Sequence, residues 1–117
     1  FNNSFQKTSS NLGNNIEVQK NIDAQNDKIK SNAILNQNHP NPFNENTTIN
    51  YFLPKNVNNA LIIIYDMQGK QIRRFKINEK GWGEVIINGG ALYAGMYYYT
   101  LIADDKIIDT KTMILTD

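Results

Sequence analysis

From residue 47 onward the chain is written in period two, whereas the residues before it follow other patterns. Residues 47–53 (TTINYFL) set Ile49, Tyr51 and Leu53 against Thr48, Asn50 and Phe52, which predicts a strand with one buried face, stopped by Pro54. Residues 60–65 (ALIIIY) are β-branched and almost wholly apolar, as in a strand central in its sheet or covered on both faces. Asp66-Met67-Gln68-Gly69 follows as a turn, because Asp can accept from its own backbone and Gly tolerates positive φ. Residues 70–77 (KQIRRFKI) return as the second arm of this hairpin. After a turn at Glu79-Lys80-Gly81, residues 82–88 (WGEVIIN) form a further strand, which Gly89-Gly90 breaks. A tight approach at Leu92-Tyr93-Ala94-Gly95 leads into residues 96–103 (MYYYTLIA), where Tyr97 and Tyr99 share one face and Tyr98 takes the other. Asp104-Asp105 is a two-residue hairpin tip, and residues 106–115 (KIIDTKTMIL) are the last strand. Six or seven short strands at such spacing predict an all-β fold, an antiparallel sandwich of immunoglobulin-like proportions over residues 47–117.

Upstream, residues 1–13 are polar and aperiodic and predict a flexible tail. Residues 14–31 place Val18, Ile22 and Ile29 at four- and seven-residue spacings, one face of a short amphipathic helix that Asn14 or Asn15 is positioned to cap. Its narrow apolar stripe suits the end of a coiled coil, and a disordered linker is the alternative, since a lone helix of this length is marginal in water. Residues 32–46 hold Pro40 and Pro42, which forbid helix, and read as a Pro/Asn-rich linker with Phe43 as an apolar anchor.

Composition sharpens the division. Thirteen of the 19 asparagines lie in residues 1–46, whereas Trp82 and all six tyrosines lie beyond. Asparagine competes with regular backbone pairing, so the core-forming material is downstream. Twelve basic and eleven acidic residues leave a net charge of +1, which offers no electrostatic attraction to nucleic acid or to an anionic membrane. No apolar run approaches the roughly 18 residues of a membrane span, so no direct membrane insertion is expected. The first residue is Phe1, not Met, as expected of a processed or partial C-terminal fragment.

Candidate chemistry is sparse. Cysteine is absent and His39 is the single histidine, which removes disulfides, thiolate nucleophiles and His-based metal triads. The expectation is therefore no enzyme and no cofactor. Asp66, Asp104 and Asp105 are the acids that would have to gather around a calcium ion, although turn stabilisation explains them equally. Trp82 and the tyrosine run are the residues that would stack on sugar rings, although strand parity sends part of that run into the core.

Leu35-Asn36-Gln37-Asn38-His39-Pro40-Asn41-Pro42-Phe43-Asn44, then Thr47-Thr48-Ile49-Asn50-Tyr51 and Leu53-Pro54, resemble the C-terminal sorting domain of type IX secretion cargo, type A. The likeness continues through residues 64–72 (IYDMQGKQI) and 92–99 (LYAGMYYY), and closes at Lys111-Thr112-Met113-Ile114-Leu115. Residues 1–31 fall outside it. The resemblance implies an immunoglobulin-like sandwich of Bacteroidota that marks an upstream passenger for export across the outer membrane, after transit through the periplasm, to the surface or medium. It implies as partners the translocon with its shuttle proteins, and a sortase-like cysteine peptidase that removes the domain, with cleavage upstream of Leu35. Carried over by position, the signal residues are Pro40, Asn41, Pro42 and Phe43 at the start, Asp66 and Gly69 at the first hairpin, Gly95 and Tyr97 before and within the tyrosine strand, and Lys111 in the last. The free edge of that last strand, with its hairpin tip, is the surface expected to meet a receptor. The alternatives are a carbohydrate- or protein-binding accessory module of a surface protein, and a stalk in which residues 14–31 oligomerise.

Overall fold

The computed structural model describes residues 32–117. The tail and helix expected over residues 1–31 lie outside the described residues. Seven strands follow in order: β1 (Ile34–Leu35), β2 (Asn46–Leu53), β3 (Ala60–Tyr65), β4 (Gln71–Ile77), β5 (Gly81–Asn88), β6 (Gly95–Ala103) and β7 (Lys106–Leu115), with a 3-10 turn at Gly89–Ala91. They form two antiparallel sheets, β1-β2-β5 and β4-β3-β6-β7.

Period two sets the packing. Along β2, Thr47, Ile49, Tyr51 and Leu53 face inward while the residues between them face out. Their inner faces meet those of Ile62 and Ile64 on β3, Tyr97, Tyr99 and Leu101 on β6, and Met113 and Leu115 on β7. β3 is an interior strand, with β4 and β6 on either side, and Ile62, Ile63 and Ile64 are all buried. That arrangement suits a strand without alternation. Asp104 and Asp105 adopt positive φ at the β6–β7 tip, and Gly69 does so at +85° in the β3–β4 turn. Asp104 also accepts from the amides of Asn58 and Asn59, which ties the β2–β3 loop to this tip.

The segment expected as a linker is different. Residues 33–45 belong to the packed unit: β1 pairs with β2, His39 bridges Thr48, and Ala33, Leu35, Asn38 and Phe43 are buried. Its prolines exclude helix as expected, but both prolyl bonds, at Pro40 and Pro42, are cis, and beyond the short β1 the segment is held by isolated backbone bridges and side-chain hydrogen bonds rather than by a long ladder.

Candidate functional site: one end of the sandwich

Antiparallel pairing decides which loops share an end. β3 finishes at Tyr65 opposite Tyr98, β6 starts at Gly95 opposite Leu115, and β2 starts at Asn46 opposite Asn88. The 66–69 turn, the 89–94 connection, the last residues of β7 and residues 40–43 therefore gather at one end. Eight of the nine residues expected to carry the signal lie there: Pro40, Asn41, Pro42, Phe43, Asp66, Gly69, Gly95 and Tyr97. Lys111 does not, because it pairs with Tyr99 in the middle of β7, where its ammonium lies 3.5 Å from Asp109. The chain runs into β1 from the opposite end, since Ile34 pairs with Phe52 and Leu53 pairs with Gly81.

Each loop at this end is closed by its own chemistry. Asp66 Oδ1 accepts from the amides of Gln68 (3.0 Å) and Lys70 (2.8 Å), while its carbonyl accepts from Gly69 N. Gly69 has no heavy atom within 4 Å of where a Cβ would sit, so its constraint is backbone conformation alone. Gly69→Ala should therefore lower stability by roughly 1 kcal/mol through positive φ rather than collision, measurable as a reduced denaturant midpoint with unchanged m-value. The Tyr97 hydroxyl donates to the Tyr93 carbonyl and fixes the approach to β6. Gly89 lies where a Cβ would meet Leu115 Cδ1 at 2.8 Å and Phe43 Cε2 at 3.2 Å, so the packing of Phe43 against β7 requires glycine there.

Residues 36–43 lie along β7. Phe43 N donates to Ile114 O (2.9 Å), Thr116 N donates to Phe43 O (2.8 Å), Ile114 N donates to Asn41 Oδ1 (2.9 Å), and Gln37 Nε2 donates to Thr112 O (2.7 Å). The edge of β7 expected to stand open is thus occupied from Thr112 to Thr116 by the chain itself. An unsatisfied strand edge is a pairing template, and a proline-rich segment with polar side chains covers it without adding a full strand.

Sequence reasoning missed the group that anchors this segment. Asn38 N donates to Tyr99 Oη (2.7 Å), and Tyr99 Oη donates to Asn36 O (2.8 Å). Asn38 Nδ2 donates to Thr47 Oγ1 (2.9 Å), which donates to Pro40 O (2.7 Å). Asn38, Thr47 and Tyr99 are all buried. A signal existed: a tyrosine on a core face needs a partner for its hydroxyl. Burial pushes the Tyr99 phenol up to about 12, partly offset by the Asn38 amide and reinforced by the Asp109 carboxylate.

The other candidate chemistry disperses. Asp66 lies at the end opposite Asp104 and Asp105, so these three acids do not surround one ion. Among the described residues no group of three or more His, Cys, Asp or Glu is placed to hold a metal. Tyr51, Tyr97 and Tyr99 are buried, whereas Trp82 and Tyr93 are exposed at different ends. No continuous line of exposed rings crosses either sheet face. Among the described residues no helix is long and apolar enough to cross a membrane.

The search of curated proteins finds no match to this chain. A family model does match, over residues 37–116, and its description is secretion system C-terminal sorting domain. That span runs from the residues that cap β7 to the end of β7 itself, so it takes in β2 to β7, all the strands but β1, and every residue expected to carry the signal. The chain belongs to the family of secretion system C-terminal sorting domains, signals of the type IX system.

Proposed function

We propose that this sorting signal is read at the end holding Pro40, Asn41, Pro42, Phe43, Asp66, Gly69, Gly95 and Tyr97. The observation that supports the reading is polarity: these residues sit at one end and the chain arrives from the other. A passenger joined ahead of residue 32 then trails behind the sandwich and leaves the read end unobstructed. The family's sorting role implies delivery to the surface or medium and recognition by the type IX machinery. Our reading adds transit through the periplasm, contact with shuttle proteins at the read end, and removal by a sortase-like cysteine peptidase upstream of Leu35. It also adds that the domain has no catalytic activity of its own. Lys111, in mid-strand, acts in this reading as a separate contact on the flank.

Tyr93 supplies the test, because it is 91% exposed at the read end and its side chain packs on little. Tyr93→Ser in a reporter carrying the whole chain should leave the melting temperature unchanged and lower secretion. Lys55→Ser, exposed at the far end, should change neither. Equal secretion by both variants and the parent would place recognition elsewhere.

A further inference from the structure

The two flanks of the sandwich are finished differently. On one, residues 37–43 cover β7 from Thr112 to Thr116. On the other, β4 and β5 are both edge strands, and among the described residues no strand lies beyond either. Alternate residues of such a strand turn their amide and carbonyl groups away from the sheet. Between the two edges runs a groove of about 440 Å³, with Tyr51, Phe75, Ile77 and Val85 in its lining. Tyr51 is only 8% exposed, yet its hydroxyl makes no hydrogen bond among the described residues and opens into this groove beside Gly83. A buried polar group of this kind calls for a partner.

Charge distinguishes the two edges. Residues 32–117 hold eight cations and eight anions, and four of the cations (Lys70, Arg73, Arg74 and Lys76) fall in residues 70–77, which contain no anion. Arg73 donates to Asn88 O (3.2 Å), which ties β4 to the end of β5. Arg74 and Lys76 are exposed and have no ion-pair partner among the described residues. Along β4 they alternate with Phe75 and Ile77, which turn inward to the groove. The acids that line the groove, Glu79 and Glu84, lie in the β4–β5 connection and on β5.

We infer that the β4 edge and this groove receive an extended segment of a partner protein in which acidic and apolar residues alternate. Added as a strand beside β4, such a segment sets its carboxylates opposite Arg74 and Lys76, where opposite charges attract across a pair of strands. Its intervening apolar side chains then enter the groove over Phe75, Ile77 and Val85, and the Tyr51 hydroxyl gains a polar group to bond. Main-chain pairing supplies the affinity and the alternate side chains the specificity. The β5 edge does not suit the same segment, because the carboxylates would stand beside Glu84. A second copy does not suit β4 either, since pairing β4 with β4 brings cation against cation. This flank is separate from the end proposed to be read, so failure of one proposal leaves the other standing.

A fluorescently labelled peptide of alternating glutamate and valine, titrated with the full chain, tests this by anisotropy. Saturable binding is expected, with the amides of residues 71–77 becoming protected from hydrogen exchange and those of residues 112–116 unchanged. Arg74→Glu with Lys76→Glu should weaken binding about tenfold or more at an unchanged melting temperature, and should create binding to the alternating lysine–valine peptide. The neutral pair Arg74→Gln with Lys76→Gln should fall between. Tyr51→Phe should weaken binding roughly threefold to tenfold, because the hydroxyl has no bond within the sandwich to lose. Absence of saturable binding by the parent would overturn the inference. So would equal binding of a peptide with the same composition but its glutamates in one block, and so would binding indifferent to charge reversal. Protection of the β4 amides before any peptide is added would also overturn it, by showing that edge already occupied.

Discussion

Replacing Phe43 with alanine should cost about 3–5 kcal/mol, the range for emptying a buried phenylalanine site. Against a typical total of roughly 5–15 kcal/mol this is a large fraction of the stability. The side chain is buried against Leu115 and Gly89, and the backbone on either side of it holds Ile114 and Thr116. Loss of the ring should therefore loosen more than a cavity. Residues 40–43 should come away from β7, and the amides of Ile114 and Thr116 should exchange faster with solvent than those in mid-β3. A melting temperature lowered by roughly 4–8 °C per kcal/mol is expected for a domain of this size. A loss under 1 kcal/mol would mean that the segment is held by its prolines and not by the ring.

Tyr99→Phe should have the second largest effect, about 1–3 kcal/mol, because one hydroxyl serves two backbone groups, the buried Asn38 amide and the part-buried Asn36 carbonyl. Without it Asn38 N–H and Asn36 C=O lose their common partner, while the ring still fills its place among Leu101, Met113 and Ile49. The variant also separates packing from ionisation. The folded pKa of Tyr99 is raised above the ordinary tyrosine value of 10, so the folded state holds its proton more tightly than the unfolded one. That contribution is complete below pH 10 and is lost as pH rises through about 12. Stability of the parent should fall over this window, and the phenylalanine variant should fall less steeply. A residual slope is expected from Tyr51, whose pKa is also raised, first by burial and then by the Glu79 carboxylate. Parallel alkaline profiles for parent and variant would show that Tyr99 does not titrate as its burial requires.

The strands were legible because each carries its own pattern. Clean alternation in residues 47–53, the unbroken Ile run at 62–64 and the acidic tip at 104–105 led to elements whose bounds the structure moves by a residue at most. Residues 33–45 were not legible as structure, for a physical reason. They bury Leu35 and Phe43 without periodicity, and their order comes from contacts with residues 61–75 positions away, such as Asn38 to Tyr99 and Asn41 to Ile114. Asparagine and proline in a row resemble a solvated connection locally. Here the same amides serve as donors and acceptors to a strand edge and to a buried hydroxyl. Among the residues expected to carry the signal, Asp66 and Gly69 had a mechanism in the sequence, the Asx turn with a left-handed glycine. Phe43 had only its apolarity, and the gathering of eight such residues at one end required the strand pairing.

This arrangement also alters where a receptor can pair with the domain. The last strand is an edge in its sheet, yet from Thr112 to Thr116 the chain's own residues 37–43 already occupy it. A partner that added a strand there would first have to displace Phe43. Recognition of side chains and turns at the end we propose to be read needs no such opening.

Secretion by the described unit alone is the most direct measurement. A fluorescent protein delivered to the periplasm of a host with a type IX system, and carrying residues 32–117 at its C-terminus, should reach the cell surface or the medium. Retention of that fluorescence inside the cell, with the fused sandwich shown to be folded, would contradict the claim that these two sheets and their capped edge are the address.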